Sequence, residues 1–258
     1  MDLGLSKKKA LVTGGSKGIG RGVVAELLRE GATVSFCARD QEEVAATADE
    51  LGTLGEVYGH VVDVRDADEV TRFVDASAEQ LGGIDILVNN AGGAHPGTFE
   101  TLDDETILAD YNIKVLSWMR LFRAALAHLR ESESARVVNV GSVYAKGPDH
   151  NFFSTTVQRA AGLNLSKALA QEFAPEGILV NAVNIGCIVT PQWRNIHQKR
   201  RPELSEEEFF QAMSDEIPLG RFGTVEEVSA AVAFLASPRA SYITGASLDI
   251  AGGMGRYV

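Results

Sequence analysis

Short apolar segments alternate with longer amphipathic segments along almost the whole chain, and this alternation limits the folds open to it. Residues 10–13, 33–37 and 86–88 are typical of buried strands, and segments with helical periodicity separate them. Strands that are apolar throughout and joined by helices form a parallel sheet with both faces covered. Because the crossovers of such a sheet are right-handed, the pattern predicts a doubly wound α/β fold.

The same alternation continues through the second half of the chain. We expect further strands at residues 57–62, 137–140, 179–183 and 247–250, and long helices at 103–129 and 152–173. Nothing in the sequence resembles a linker or a repeat, so residues 1–258 are predicted to form a single domain. The irregular stretch 191–223, with one helix expected at 206–213, is typical of a substrate lid.

Composition excludes several classes of function. The net charge of −11 argues against binding to nucleic acid or to anionic membranes, since both need a basic surface. The two cysteines are too few for a disulfide framework or a zinc site, and no metal site is expected. No apolar run approaches the ~20 residues that a membrane span requires. We therefore expect a cytoplasmic protein that acts on a small molecule.

A glycine-rich segment follows the first predicted strand and opens the first predicted helix. Gly14, Gly18 and Gly20 stand at positions where a tight turn, a close approach to phosphate and helix–strand packing each require glycine. The helix N-terminus would then face an anion with the positive end of its dipole. This context predicts a dinucleotide site in which Ser16, Lys17 and Ile19 also take part.

The end of the second strand distinguishes NADP from NAD. A carboxylate at that position would bind the ribose 2′-hydroxyl of NAD, but the chain has Ala38 there and Arg39 next to it. Arg39 and Lys17 together suit a 2′-phosphate, because guanidinium binds phosphate through two parallel hydrogen bonds. The sequence therefore predicts NADP(H) as the cofactor, and NAD is the less favoured alternative.

These motifs resemble, in the same order, those of the short-chain dehydrogenase/reductase family. The glycine segment, residues 89–92 and Ser142 carry the likeness, which covers roughly residues 6–253 and implies a Rossmann fold. The resemblance implies that Asp63 and Val64 lie at the adenine, and that residues near the ribose and the nicotinamide follow later strands. These later cofactor residues are Asn90, Ala91, Gly92, Gly186, Ile188 and Thr190.

The proton-transfer site departs from the family pattern. In the family a serine is followed thirteen residues later by Tyr-x-x-x-Lys, whereas the count from Ser142 reaches Thr155 and Arg159 here. The aliphatic hydroxyl of threonine is a poor general base, since its pKa cannot be brought close to neutrality as a phenol's can. Arg159 keeps the positive charge and could bind the nicotinamide ribose, but it cannot shuttle protons as lysine does.

Several groups could replace the missing tyrosine. Asn112 matches the family's water-holding asparagine and Ser142 matches the serine that polarises the substrate, so an ordered water between them is one candidate. Tyr144 with Lys146 could form a relocated phenol–cation pair, and His150 on the same loop is a further candidate acid. Alternatively, these three are ordinary loop residues.

The sequence thus predicts an NADP-dependent oxidoreductase that acts on a carbonyl, an alcohol or an activated double bond with an atypical catalytic site. One alternative is a non-catalytic NADP(H)-binding protein. Another is a non-redox enzyme on the same scaffold, as in the halohydrin dehalogenases, although those keep the tyrosine and lose the nucleotide loop. The resemblance also implies a homodimer or homotetramer.

Overall fold

The computed structural model describes residues 2–255, and all its strands belong to one parallel sheet. The seven strands lie in the order β3-β2-β1-β4-β5-β6-β7. Their bounds are β1 Lys9–Thr13, β2 Thr33–Ala38, β3 Val57–Val61, β4 Ile86–Asn89, β5 Arg136–Ser142, β6 Leu179–Ile185 and β7 Ser247–Ile250. The predicted doubly wound Rossmann fold is confirmed. Met1 and residues 256–258, the two ends of the predicted domain, lie outside the described residues, and the assignment of 1–258 to one domain stays a prediction.

Helices cover both faces of the sheet. They are α1 Gly18–Arg29, α2 Gln41–Leu51, α3 Ala67–Leu81, α4 Asp104–Tyr111, α5 Ser117–Glu131, α6 Phe153–Phe173, α7 Pro191–Arg200, α8 Glu206–Ala212 and α9 Val225–Ala236. The stretch 191–223 is less irregular than the sequence suggests, because α7 lies within it in addition to the expected helix. Trp193 of α7 packs edge-on against Phe222, with ring centroids 4.9 Å apart, and so anchors this segment.

Alternate residues of the central strands enter different halves of the core. Ala10 and Val12 of β1 belong to a hydrophobic cluster with α1 and α9, while Leu11 belongs to a cluster with α3 and α5. All three side chains are fully buried. Burial on both faces explains why the strands are apolar throughout, and β1 lies in the interior of the sheet between β2 and β4.

Aspartates begin three of the helices that pack on this core. The Asp40 carboxylate accepts the backbone N–H of Glu43 at the start of α2, and Asp66 accepts two backbone N–H groups at the start of α3. Asp103 caps α4 in the same way. Each cap satisfies donors that would otherwise have no partner in the helix. The start of α4 therefore agrees with the predicted start at residue 103 to within one residue.

One predicted helix is interrupted. The sequence predicts a continuous helix over 103–129, but a π-helical turn at Asn112–Leu116 separates α4 from α5. At its end the backbone N–H of Ser117 bonds to the carbonyl of Asn112, five residues earlier. Such a turn inserts an extra residue and changes which side chains face the neighbouring elements. This local change determines the composition of the site described below.

None of the helices in the part of the chain that the structure describes is long and apolar enough to cross a membrane. The oligomeric state and the cellular compartment remain predictions from the sequence.

Close packing of the loop after β1 generates a stability prediction. A methyl group on Gly20 would overlap the backbone carbonyl of Gly14 and the side-chain amide of Asn90, neither of which can move freely. We expect Gly20→Ala to lower the free energy of unfolding by about 1–3 kcal/mol through overpacking. Urea denaturation would measure the change. Gly93→Ala is the matched control, since nothing lies within 4 Å of the added methyl group there, and an equal loss in both variants would contradict the argument.

Candidate active site

The glycine loop (residues 14–20) joins β1 to α1 at the carboxyl edge of the sheet. Gly14 and Gly18 have positive φ angles of 67° and 55°, which side-chain-bearing residues rarely adopt. Lys17 precedes α1 without making a side-chain cap, and the first turn of α1 contains no acidic residue. The backbone N–H groups of that turn and their dipole are therefore suited to an anion. These features fit the pyrophosphate of a dinucleotide.

The end of β4 is fastened to the glycine loop by hydrogen bonds. The Thr13 hydroxyl accepts the backbone N–H groups of Asn90 and Ala91 at 3.0 and 3.1 Å. The Asn90 side-chain amide donates in turn to the carbonyls of Thr13 and Gly14 at 3.0 and 3.1 Å. The two strand ends that flank the reversal in strand order are thus held in one rigid arrangement, where doubly wound folds bind their ligands.

The remaining predicted cofactor residues follow the carboxyl ends of other strands or line the glycine loop. Gly186 follows β6 and donates its backbone N–H to Ile250 at 3.0 Å. Thr190 lies opposite Gly18, because a Cβ on Gly18 would be 3.7 Å from its methyl group. The loops after β1 and β6 therefore approach each other at Gly18 and Thr190. Ser16 and Ile19 lie in the glycine loop, and Val64, Gly92 and Ile188 follow β3, β4 and β6.

The charges at the end of β2 are less purely basic than the sequence suggests. The Lys17 ammonium forms an ion pair with Glu43 at 2.8 Å, so a carboxylate lies beside one of the two predicted phosphate ligands. The Asp63 carboxylate is bonded to Arg65 at 2.5 Å, and this hydrogen bond is the main cause that holds the pKa of the carboxyl below its usual value. Arg39 is exposed, and its charge adds to the lowering of that pKa.

A lysine that sequence reasoning missed lies at the centre of the proton-transfer region. Lys114, in the π-helical turn, is fully buried, and its ammonium donates to the Thr155 hydroxyl at 2.9 Å. Thr155 follows the loop after β5 on helix α6, and it also accepts the backbone N–H of His95 at 2.9 Å. A cation and a hydroxyl thus meet at the position where the family carries its tyrosine in sequence.

Asp110 compensates the buried charge of Lys114. Its Oδ1 lies 2.5 Å from Lys114 Nζ, one helical turn away, and its Oδ2 accepts the Ser154 hydroxyl at 2.8 Å. A buried ammonium is tolerated only when it is paired and hydrogen-bonded in this way. Burial nevertheless lowers the pKa of Lys114 to about 8, with the nearby Arg159 cation as the second cause and the Asp110 carboxylate opposing both. An amine in this range can both give and take a proton near physiological pH.

Arg159 lies one turn beyond Thr155, on the same face of α6. It is buried, and one guanidinium nitrogen donates to the Val140 carbonyl at 2.8 Å. Burial lowers its pKa to about 10, and the Asp110 carboxylate opposes this shift. The Nε atom has no hydrogen-bond partner among the described residues. Arg159 therefore supplies a fixed positive charge and one unused donor.

The side chain of Asn112 bonds to Arg120, and its role in holding a water stays a prediction. Its side-chain oxygen accepts from Arg120, which also donates to the backbone carbonyl of Arg65 at 2.8 Å. Residues 112 and 114 are two positions apart in a helical segment, so their side chains point to nearly opposite sides. Because Lys114 faces Thr155, the side chain of Asn112 faces α5 and the start of α3.

Tyr144 and Lys146, one of the candidate replacements for the tyrosine, each contact another residue in the structure. The ammonium of Lys146 binds the Asp249 carboxylate at 2.8 Å. The ring of Tyr144 stacks on Phe152 with centroids 5.3 Å apart. Burial raises the pKa of Tyr144 to about 12, and the Asp149 carboxylate adds to the rise. A cation beside the phenol would have the opposite effect, so Tyr144 is a weak acid in this environment.

Ser142 ends β5 at the same edge and is partly exposed. Its hydroxyl accepts the backbone N–H of Tyr144 at 3.3 Å and begins the short helical turn that follows. His150 is exposed on the later part of this loop. The structure thus brings together Lys114, Asp110, Thr155 and Arg159, and it gives Asn112 and Lys146 to other partners.

The signal for Lys114 was present in the sequence as Asp110 and Lys114, four residues apart. Such a pair on a helix is usually a solvated surface contact. Only the packing of α6 against the π-helical turn shows that this pair is buried.

A parallel sheet with a glycine loop after β1 defines a dinucleotide-binding protein of the doubly wound class. The family model described as enoyl-(acyl carrier protein) reductase matches residues 14–255. The 3-oxoacyl-(acyl-carrier-protein) reductase of Escherichia coli strain K12 is 33% identical over 247 residues, which are 96% of this chain and 97% of that protein. The chain belongs to the short-chain dehydrogenase/reductase family.

Solved structures of relatives agree closely with this one. A short-chain oxidoreductase from Pseudomonas aeruginosa PAO1, described as containing an atypical catalytic center, is 38% identical. Its apo form matches with a TM-score of 0.95 over 99% of this chain and 100% of its own, and its NADPH-bound form with 0.94 over 99% of both chains. L-sorbose reductase from Gluconobacter frateurii, complexed with NADPH and L-sorbose, is 31% identical with a TM-score of 0.96 over the full length of both chains.

The environment of Tyr144 generates a prediction for catalysis. Because its phenol has a pKa of about 12, we expect Tyr144→Phe to leave kcat for reduction within about threefold of the wild-type value, whereas loss of a general acid costs roughly 10²-fold or more. Steady-state oxidation of NADPH at 340 nm, with acetoacetyl-N-acetylcysteamine as the test substrate, would measure kcat. A fall of 10²-fold with an unchanged melting temperature would restore Tyr144 as the proton donor.

Proposed function

We propose that this protein is an NADPH-dependent reductase of a carbonyl group in which Lys114 supplies the proton. The observation that carries the proposal is the buried ammonium of Lys114 against Thr155, at the edge of the sheet where Ser142 and the glycine loop also lie. The relatives named above include reductases of a 3-oxoacyl thioester and of a keto sugar. A keto compound is therefore the substrate class we infer.

NADPH, when bound, would supply a hydride to the carbonyl carbon of the substrate. The carbonyl π pair would move onto oxygen, and that oxygen would take a proton from Lys114 Nζ. The lysine is left as a neutral amine, hydrogen-bonded to Thr155 and Asp110. In the oxidation direction Lys114 must begin as the amine and accept the alcohol proton.

The other residues hold the reactants and the charge. The Ser142 hydroxyl lies at the end of β5, partly exposed, and is suited to donate a hydrogen bond to the substrate oxygen. The unused Nε donor of Arg159 is suited to a ribose hydroxyl, which is the role of the family's lysine. The Thr155 hydroxyl accepts a hydrogen bond from the Lys114 ammonium and so fixes the direction of that side chain. Proton transfer therefore falls to Lys114 alone.

Two alternatives remain open to experiment. A protein that binds NADP(H) without catalysis would bind the cofactor, but it would not oxidise NADPH whichever keto substrate is offered. A reductase of activated double bonds would act on crotonyl-N-acetylcysteamine and not on acetoacetyl-N-acetylcysteamine. We favour carbonyl reduction because Lys114 offers a proton to an oxygen atom near neutral pH.

The pKa of Lys114 predicts the pH dependence of both reaction directions. Since the pKa is lowered to about 8, the ammonium is present below that pH and is lost above it. We expect kcat/KM for reduction to be constant below pH 8 and to fall above it, and kcat/KM for oxidation of the alcohol to rise through the same pH. Initial rates from pH 6 to 10 would test this, since kcat/KM reports the groups of the free enzyme.

The control for this profile is Lys114→Met, which keeps the length of the side chain without its charge. We expect a loss of about 10²-fold or more in kcat and disappearance of the break near pH 8. Binding of NADPH should persist, which calorimetry would verify. Lys167→Met, an exposed lysine on α6, is the matched variant and should behave as wild type. An unchanged pH profile in Lys114→Met would contradict the assignment.

Cofactor preference is a separate prediction. We propose that NADPH binds more tightly than NADH because Arg39 binds the 2′-phosphate. Arg39→Ala should weaken NADPH binding by about 10-fold or more, since a hydrogen bond to a charged group contributes roughly 1.5–3 kcal/mol. Its affinity for NADH, which has no 2′-phosphate, should change little. Calorimetric titration of wild type and Arg39→Ala with both cofactors would decide, and equal weakening of NADPH and NADH would refute a phosphate contact.

A further inference from the structure

The Lys114 ammonium is connected to the protein surface through one carboxylate and one imidazole. Asp110 Oδ1, which lies 2.5 Å from Lys114 Nζ, is also 2.6 Å from Nδ1 of His95. Lys114, Asp110 and His95 therefore form a continuous chain of hydrogen-bonded atoms. The three residues come from the π-helical turn, from α4 and from the loop after β4.

Burial gives this chain a direction. Lys114 and Asp110 are fully buried, whereas 46% of the His95 side chain is exposed. The other hydrogen-bond partner of Asp110 is Ser154, and that residue is itself 1% exposed. Among the described residues that bond to Asp110, His95 is thus the one that meets solvent.

The geometry of His95 is fixed independently of its side chain. Its backbone N–H donates to the Thr155 hydroxyl at 2.9 Å, and that hydroxyl donates back to the His95 carbonyl at 3.3 Å. The same hydroxyl receives the Lys114 ammonium. Thr155 therefore holds the His95 loop and the lysine in register, so that the imidazole remains within reach of Asp110.

We propose that His95 and Asp110 form a proton relay that resupplies Lys114 from solvent after each reduction. This inference rests on the proposed function, since it takes Lys114 to be the group that loses a proton. After the lysine has given its proton to the substrate oxygen, the Nδ1 proton of His95 passes to Asp110 Oδ1 and from there to Lys114 Nζ. Water protonates Nε2 of the imidazole at the same time.

The steps balance with one proton taken from water. Lys114 ends as the ammonium, Asp110 ends as the carboxylate, and the imidazole ends neutral with its proton on Nε2. The exposed ring returns to the Nδ1–H form by exchanging protons with water. Imidazole is the side chain suited to such exchange near neutral pH. The charged groups that face this path are Asp110, Lys114 and the buried Arg159, and all three keep their charge at the end of the cycle.

The test is chemical rescue of His95→Ala. We expect this variant to lose about 10-fold or more in kcat for reduction of acetoacetyl-N-acetylcysteamine by NADPH, since positioned proton transfer contributes roughly 10²–10⁴-fold when it is limiting. Free imidazole at increasing concentration should restore a part of kcat with little change in KM. It should not raise the rate of wild type. His95→Gln, which retains a polar side chain without a transferable proton, should be equally slow.

A structural role for His95 predicts a different result. Loss of a contact that only holds the loop would raise KM or lower the melting temperature, and it would not respond to free imidazole. His128→Ala, at the far end of α5, is the matched control and should keep the wild-type kcat with and without imidazole.

The outcomes separate the relay from the proposed function. If wild type oxidises NADPH with the keto thioester and His95→Ala is as fast, or is slow without rescue by imidazole, the relay is wrong and the reductase assignment stands. If wild type binds the cofactor but does not oxidise NADPH in the presence of any keto substrate, the proposed function fails and the relay fails with it.

Discussion

A buried lysine ammonium needs polar partners, and Lys114 forms an ion pair with Asp110 and a hydrogen bond to Thr155. The ion pair compensates the cost of burial without removing it, since desolvation still lowers the pKa of the lysine to about 8. Complete compensation would have left the pKa near its ordinary value of 10.5, so that the amine form would be scarce at neutral pH. Incomplete compensation is what makes the group suited to acid–base chemistry near neutral pH.

The π-helical turn determines which residues reach this position. It lies between α4 and α5, and it places Lys114 against α6 while the side chain of Asn112 bonds to Arg120. π-helical turns occur frequently at functional sites, because the extra residue redirects side chains that a regular helix would send elsewhere. The proton-transfer region therefore depends on this turn as well as on Thr155 and Arg159 of α6.

The sequence predicted the fold well, because the fold depends on local signals. Apolar strands reveal themselves by their composition, and the glycines after β1 are required by backbone geometry at Gly14 and Gly18. The proton-transfer region depends instead on which side chains meet between distant elements. Tyr144 and Lys146 are neighbours along the chain, yet the lysine pairs with Asp249 on β7. Lys114 and Thr155 are 41 residues apart and share a hydrogen bond. The hydrophobic periodicity of the sequence does not indicate which side chains from distant elements are in contact.

The two buried cations of the site, Lys114 and Arg159, have different pKa values and are therefore suited to different roles. Burial lowers the pKa of both, but Lys114 falls to about 8 and Arg159 only to about 10. At neutral pH the guanidinium therefore stays charged, and its charge helps to lower the pKa of the lysine beside it. In the family pattern, a lysine lowers the pKa of a tyrosine in the same way. Here the charge of Arg159 contributes to lowering the pKa of Lys114. A fixed cation therefore still lies next to a titrating group, although both residue types have changed.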